Sequence, residues 1–265
     1  MNLMEEIEKV KSEGYNEANA QARVCQDIVL YGISKGSLSR NITVKGGVVM
    51  RNISKDARRA TQDIDLDFIK YALSDDSIEA FVSRLHLIDG LQISLKGPIS
   101  ELNHRDYKGK RVFINITDEY GNSLESKIDI GVHKDLDIEQ EEYCFDICFQ
   151  EDGASLLMNS KEQIITEKLK SFLRFGTGST RYKDVFDICY LSDDVDKDRL
   201  RKYIQRYIYE DVTLPVEDKK EIVRRIERVF TNRTFIREIN KSKKNWIDIS
   251  TEEALAKNIE FIKSL

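Results

Sequence analysis

Residues Asp63-Ile64-Asp65-Leu66-Asp67-Phe68 alternate acid and apolar side chain without a break. An extended strand sorts that period onto two faces, with Asp63, Asp65 and Asp67 on one side and Ile64, Leu66 and Phe68 on the other. A helix would scatter the same residues around its axis. Three like charges about 7 Å apart along one face repel one another. On residue types alone two readings stand. The acids can face water on an amphipathic strand, or they can hold a divalent cation, because hard Mg²⁺ takes carboxylate oxygens and keeps positions open for substrate phosphates.

Around this strand the chain changes character once. Helical spacing of apolar residues is present at 4–11 and 15–31, ending near Gly32. A short strand at 42–44 runs into Gly46-Gly47, where two residues without Cβ let backbone N–H groups approach a polyphosphate. A helix is expected at 78–87 after Asp75-Asp76-Ser77. Strands are expected at 91–96, 111–117, 124–130 and 143–149, the middle two paired around the turn signal Asp118-Glu119-Tyr120-Gly121-Asn122. From Ser155 onward the periodicity turns helical: 160–175, 183–191, 197–209, 216–231 and 251–262. The predicted fold class is α+β, a mixed-sheet domain over 1–152 followed by an all-helical domain over 153–265. Asp129, in Lys127-Ile128-Asp129-Ile130, faces away from its apolar neighbours. If its strand lies beside the Asp63 strand, three carboxylates converge in the arrangement that two-metal phosphoryl or nucleotidyl transfer needs.

Charge separates the two parts. Of 265 residues, 42 are Lys or Arg and 47 Asp or Glu, a net of −5. Residues 197–244 hold 15 basic and 8 acidic side chains, net +7, whereas 1–196 hold 25 and 35, net −10. A whole-surface polyanion binder is excluded; a basic face on the C-terminal part is not. That segment carries Arg224-Arg225, Arg228, Arg233, Arg237 and Lys241 to Lys244, with Tyr203, Tyr207, Tyr209, Phe230 and Trp246 among or beside them. It is either a solvated basic face, a phosphate-backbone surface, or the docking face of an acidic partner. No apolar run approaches a membrane span, and residues 1–11 carry Glu5, Glu6 and Glu8 with no apolar signal core, so a cytoplasmic protein is expected. Cys25, Cys144, Cys148 and Cys189 are read as reduced thiols without zinc spacing, and His86, His104 and His133 as structural or solvated.

The motifs resemble a known family in their order. Val44-Lys45-Gly46-Gly47, then Arg59-Ala60-Thr61-Gln62-Asp63-Ile64-Asp65, then Lys127-Ile128-Asp129, Glu167-Lys168-Leu169 and Arg181-Tyr182-Lys183-Asp184-Val185-Phe186-Asp187 resemble those of AbiEii/AbiGii-type nucleotidyltransferase toxins. These belong to the DNA-polymerase-β-like nucleotidyltransferase superfamily. Departures are Val48 where a hydroxyl residue is common near the glycine pair, Gln163 where an acid often precedes the helical lysine, and Lys183 where an arginine is usual.

The resemblance implies the following. Asp63, Asp65 and Asp129 hold two Mg²⁺ ions, with Asp129 also helping to deprotonate the acceptor. Gly46 and Gly47 cradle the NTP phosphates. Lys168 contacts the triphosphate or is an ordinary surface lysine, Arg59 (or Arg58) balances the acids or touches phosphate, and Asp184 binds base or ribose or pairs with Arg181 or Lys183 to hold the helical part. Asp67 stands behind the ligands. The activity implied is transfer of NMP from an NTP to a macromolecular hydroxyl, with tRNA as acceptor, in a toxin–antitoxin or abortive-infection pair with a cognate antitoxin. The alternatives are an antibiotic-type small-molecule nucleotidyltransferase and a non-catalytic nucleotide-binding module.

Overall fold

The structure is a computed structural model that describes residues 1–85, 88–104, 107–138 and 140–265. The chain forms two compact units, Met1–Asn159 and Ser160–Leu265. The first contains α1 (Leu3–Ser12), α2 (Glu17–Lys35), β1 (Ile42–Lys45), α3 (Gly46–Ser54), β2 (Ile64–Phe68), α4 (Asp75–Ser83), β3 (Leu91–Leu95), β4 (Ser100–His104), β5 (Tyr107–Asp118), β6 (Ser123–Val132), β7 (Glu141–Ile147) and β8 (Gln150–Met158). The second contains α5 (Lys161–Phe175), α6 (Tyr182–Leu191), α7 (Lys197–Ile204), α8 (Lys219–Phe230), α9 (Arg233–Ser242) and α10 (Thr251–Ser264). The class is α+β, as the alternating acids and the later helical periodicity predict. Among the described residues no helix is long and apolar enough to cross a membrane.

The strands of the first unit make one mixed sheet in the order β3-β5-β6-β2-β1-β8-β7, with β4 on the free side of β5's N-terminal half. The acid–apolar strand is therefore central. β1 runs antiparallel to it, and β6 parallel. Ile64, Leu66 and Phe68 are fully buried, and Phe68 meets Phe81 of α4 edge-on at 5.6 Å. α2 lies against β6, β7 and β8, with Val24, Ile28 and Val29 fully buried. Burying those three side chains contributes on the order of 1.5–3 kcal/mol each.

Several predicted bounds move, for local reasons. The helix starting at Glu17 continues past Gly32 to Lys35, since Gly32 sits where a Cβ would press on Leu85. Residues 46–54, where only the glycine pair at 46–47 is read from the sequence, form α3; valines and paired glycines carry little helical signal. Glu151-Asp152-Gly153, the sequence's break between domains, lies inside β8. The β7–β8 hairpin turns instead at Cys148-Phe149, which carry no turn chemistry. Gly153 takes φ +67 in β8, where a Cβ would strike Cys144 Sγ and the Phe145 carbonyl. The predicted helix end at Leu87 and His86 lie outside the described residues.

In the second unit, Phe172, Phe230 and Phe235 form an aromatic cluster with centroids 5.3–6.2 Å apart that joins α5, α8 and α9. The unanticipated α9 is amphipathic, burying only Phe235 and Ile239. Helix starts follow their caps: Ser160, Asp196, Asp218, Asn232 and Ser250 each accept a first-turn N–H, with Ser250 and Glu253 forming a reciprocal box.

Candidate active site

The sheet places Lys45, Asp65, Asp129 and Arg111 in one row across β1, β2, β6 and β5. Lys45 pairs with Asp65, Asp65 with Asp129, and Asp129 with Arg111. The row thus reads cation, acid, acid, cation. The Arg111 guanidinium grips both Asp129 oxygens at 2.7 and 2.8 Å, a bidentate pair. Lys127 holds Asp63 at 2.9 Å, and Lys45 holds the buried Asp67 at 2.9 Å. Asp65 has no such ion pair among the described residues. Burial pushes its carboxyl up to about 6; Lys45 opposes the rise, and Asp129, Asp63 and Asp67 add to it. Asp65 is therefore the acid whose charge the fold satisfies least.

The glycine pair completes the site. β1 ends at Lys45 and the chain turns directly into α3 through Gly46, whose φ of +63 favours glycine. A Cβ on Gly46 would overlap the Asp65 carboxylate, and one on Gly47 would overlap the Thr61 side chain. Both positions are thus held open by absence of a side chain, with Asp65 and the Thr61 hydroxyl directly over them. Among the described residues α3 has no side-chain cap, unlike α2, α5 and α8. Its first-turn amides are free to donate outward, and the positive end of its dipole adds to them.

These observations bear on a divalent cation. Among the described residues no three His, Cys, Asp or Glu side chains stand together as a ready-made metal cluster. Asp63 and Asp129 are instead turned to Lys127 and Arg111. The donor set is nonetheless of the hard-oxygen kind, and Asp65 is short of positive charge, so the residues present fit such an ion once Arg111 or Lys127 gives up a carboxylate oxygen.

The other predicted residues fall as follows. Arg59 is buried, 3% exposed, in the short turn Ala57–Arg59, whereas Arg58 is exposed and bonded to Asp56. Lys168, on α5, places its ammonium 2.5 Å from Asp184 and 2.8 Å from the fully buried Asp187, both on α6. Trp246 Nε1 donates to the other Asp187 oxygen at 3.0 Å. This acid–lysine–indole group holds α5, α6 and the segment before α10 together within the second unit. His133 is buried, its Nε2 3.0 Å from the Ile138 carbonyl, and Cys144 is exposed while Cys148 lies in the hairpin turn. Thr61 and Arg111 stand beside the predicted residues without being given a role by any motif. The signal for Arg111 is its strand register, which only sheet pairing supplies.

Paired acids on adjacent strands, beside an uncapped helix start reached through two glycines, are the parts of a phosphate-handling site. The family described as "Nucleotidyl transferase AbiEii toxin, Type IV TA system" matches residues 28–252. The chain belongs to that family and is a nucleotidyltransferase of the toxin type. No curated protein matches it.

Proposed function

We propose that the Asp65–Asp129 row binds an NTP with Mg²⁺ and transfers NMP to a hydroxyl of an RNA acceptor, tRNA by the family resemblance, in the cytoplasm and under a cognate antitoxin. The observation that carries the reading is the register pairing of Asp65 with Asp129 beside the open Gly46-Gly47 turn. Two Mg²⁺ ions held by Asp63, Asp65 and Asp129 would supply charge neutralisation and alignment for in-line displacement at the α-phosphorus.

This chain's own groups do the rest. The amides of Gly46, Gly47 and Val48 donate to phosphate oxygens, and the Thr61 hydroxyl supplies the bond that Val48 cannot. Arg111 releases one oxygen of Asp129, which then accepts the proton of the acceptor hydroxyl. The new O–P bond forms as the bond to pyrophosphate breaks, and pyrophosphate leaves with the electron pair.

Incubation with total RNA and four separately α-labelled NTPs tests this: one or two nucleotides should label RNA of tRNA size. Label on a small cationic molecule instead would favour the antibiotic-type reading, and no transfer with any NTP would overturn the proposal. Thr61→Val removes one neutral hydrogen bond, worth about 1 kcal/mol, and should raise KM for the NTP roughly fivefold with folding unchanged. Thr61→Ser should restore it; an unchanged KM in the valine variant removes Thr61 from the phosphate site.

Lys168→Gln removes the ammonium shared by Asp184 and the fully buried Asp187 and should destabilise the helical unit by about 3 kcal/mol. If Lys168 also meets the triphosphate, KM for the NTP rises in protein still folded at low temperature. Unchanged stability would refute the buried-pair role.

A further inference from the structure

A cavity of about 470 Å³ opens in the helical unit where the end of α5 and the turn Gly176–Gly178 meet α8. Arg174, Arg224, Arg225 and Arg228 line it, against a single acid, Glu221. Arg224 and Arg225 share Glu221, and Arg225 also donates to the Pro215 carbonyl at 2.6 Å, so their guanidinium planes are held rather than free. Arg174 is braced by Thr213 at 2.8 Å and by Asp211. Arg228 is exposed and has no ion-pair or hydrogen-bond partner among the described residues. The site therefore combines three oriented guanidinium groups with one uncommitted one.

The lining includes Phe175, a residue 54% exposed. An exposed ring amid arginines gains nothing from folding; it offers a π-face to a planar group. A Cβ built on Gly176 or Gly178 meets nothing within 4 Å, so the backbone of this turn is open to a close-lying chain, with exposed Thr177 between.

We propose that this cavity binds single-stranded nucleic acid, its phosphates on Arg228 and Arg224 and one base stacked on Phe175. Guanidinium forks match phosphate oxygens, and an unpaired base, unlike one in a duplex, can reach an aromatic face. An acidic peptide would use the charges but leave Phe175 without a partner. That the bound strand is the acceptor for transfer rests on the function proposed above; that it binds does not.

The test uses the full chain and a fluorescein-labelled single-stranded RNA of about ten nucleotides, followed by anisotropy across a salt series. Phe175→Ala should weaken binding about tenfold at every salt concentration. Arg228→Ser should weaken it several-fold and lower the salt slope by about one. Both residues are exposed, so circular dichroism should show both variants folded. A duplex of the same sequence should bind more weakly and be indifferent to Phe175. Wild-type affinity in both variants overturns the proposal. So does binding of a poly-glutamate peptide as tight as RNA and insensitive to Phe175, which would make the cavity an acidic-protein docking site. Asp65→Asn separates the two proposals: it should bind RNA as wild type does while transferring nothing. If wild type also transfers nothing but binding still depends on Phe175 and Arg228, the catalytic reading fails and the strand site stands.

Discussion

Asp65→Asn should reduce nucleotidyl transfer at least a thousandfold and, at neutral pH, make the protein more stable. The first effect follows from position. Asp65 is central in the row that Asp129 shares, and its carboxylate stands directly over the Gly46 turn. Losing a charge at the reacting centre commonly costs several kcal/mol of barrier, with each 1.36 kcal/mol a factor of ten. The second effect follows from burial. The Asp65 carboxyl is pushed up to about 6, above its ordinary value of 3.8. A carboxyl raised in the folded state binds its proton more tightly there than when unfolded. Its favourable contribution is present at low pH and is lost as pH rises from about 4 through 6. Asparagine has no charge to desolvate. The difference in Tm between the variant and wild type should therefore grow from pH 4.5 to pH 7, in favour of the variant, in buffer containing a chelator. Added Mg²⁺ should narrow the gap by stabilising wild type alone. A variant less stable than wild type at pH 7 would refute this account of Asp65, and full transfer activity would remove it from the site.

Arg51→Leu should cost about 3–5 kcal/mol of stability in the first unit, the largest effect expected from a residue away from the acid row. Asp27, on α2, is fully buried, and Arg51, on α3, meets it at 2.7 Å with 4% of its own surface exposed. Arg23 stands 3.6 Å from the second Asp27 oxygen and lies over the Tyr15 ring, while the Cys148 amide donates to that oxygen at 3.0 Å. One carboxylate thus ties α2, α3 and the β7–β8 turn. Removing the arginine leaves a buried charge with fewer partners, which costs more than the pair itself contributes. The double variant Asp27→Leu, Arg51→Leu should recover most of the loss, because two apolar groups replace two desolvated charges. Urea denaturation followed by circular dichroism measures both. A single-variant cost under about 1 kcal/mol would show that the network is solvated. Because α3 carries the Gly46-Gly47 turn at its other end, the single variant should also raise KM for the NTP before unfolding is complete.

The sequence by itself determined the strand at Ile64–Phe68, since a period of two has one regular solution, and the acid face with it. It determined the helical second part as well, where apolar spacing and caps at Ser160 and Ser250 act within a few residues. The order of short motifs pointed to the family before any contact was known. What it could not determine is anything that depends on partners far along the chain. Asp129 sits 64 positions after Asp65, and only the parallel pairing of β6 on β2 makes them neighbours. The same pairing sets Lys127 beside Asp63, and the antiparallel β5–β6 pairing sets Arg111 on Asp129. α3 and the β7–β8 hairpin were illegible because Gly-Val runs and a Cys-Phe turn carry no local preference, so burial against the sheet chose their conformation. The local code wrote the charged strand; the tertiary fold decided which acid would be left wanting a cation, because desolvation and the placement of neighbouring charges exist only once the sheet has formed.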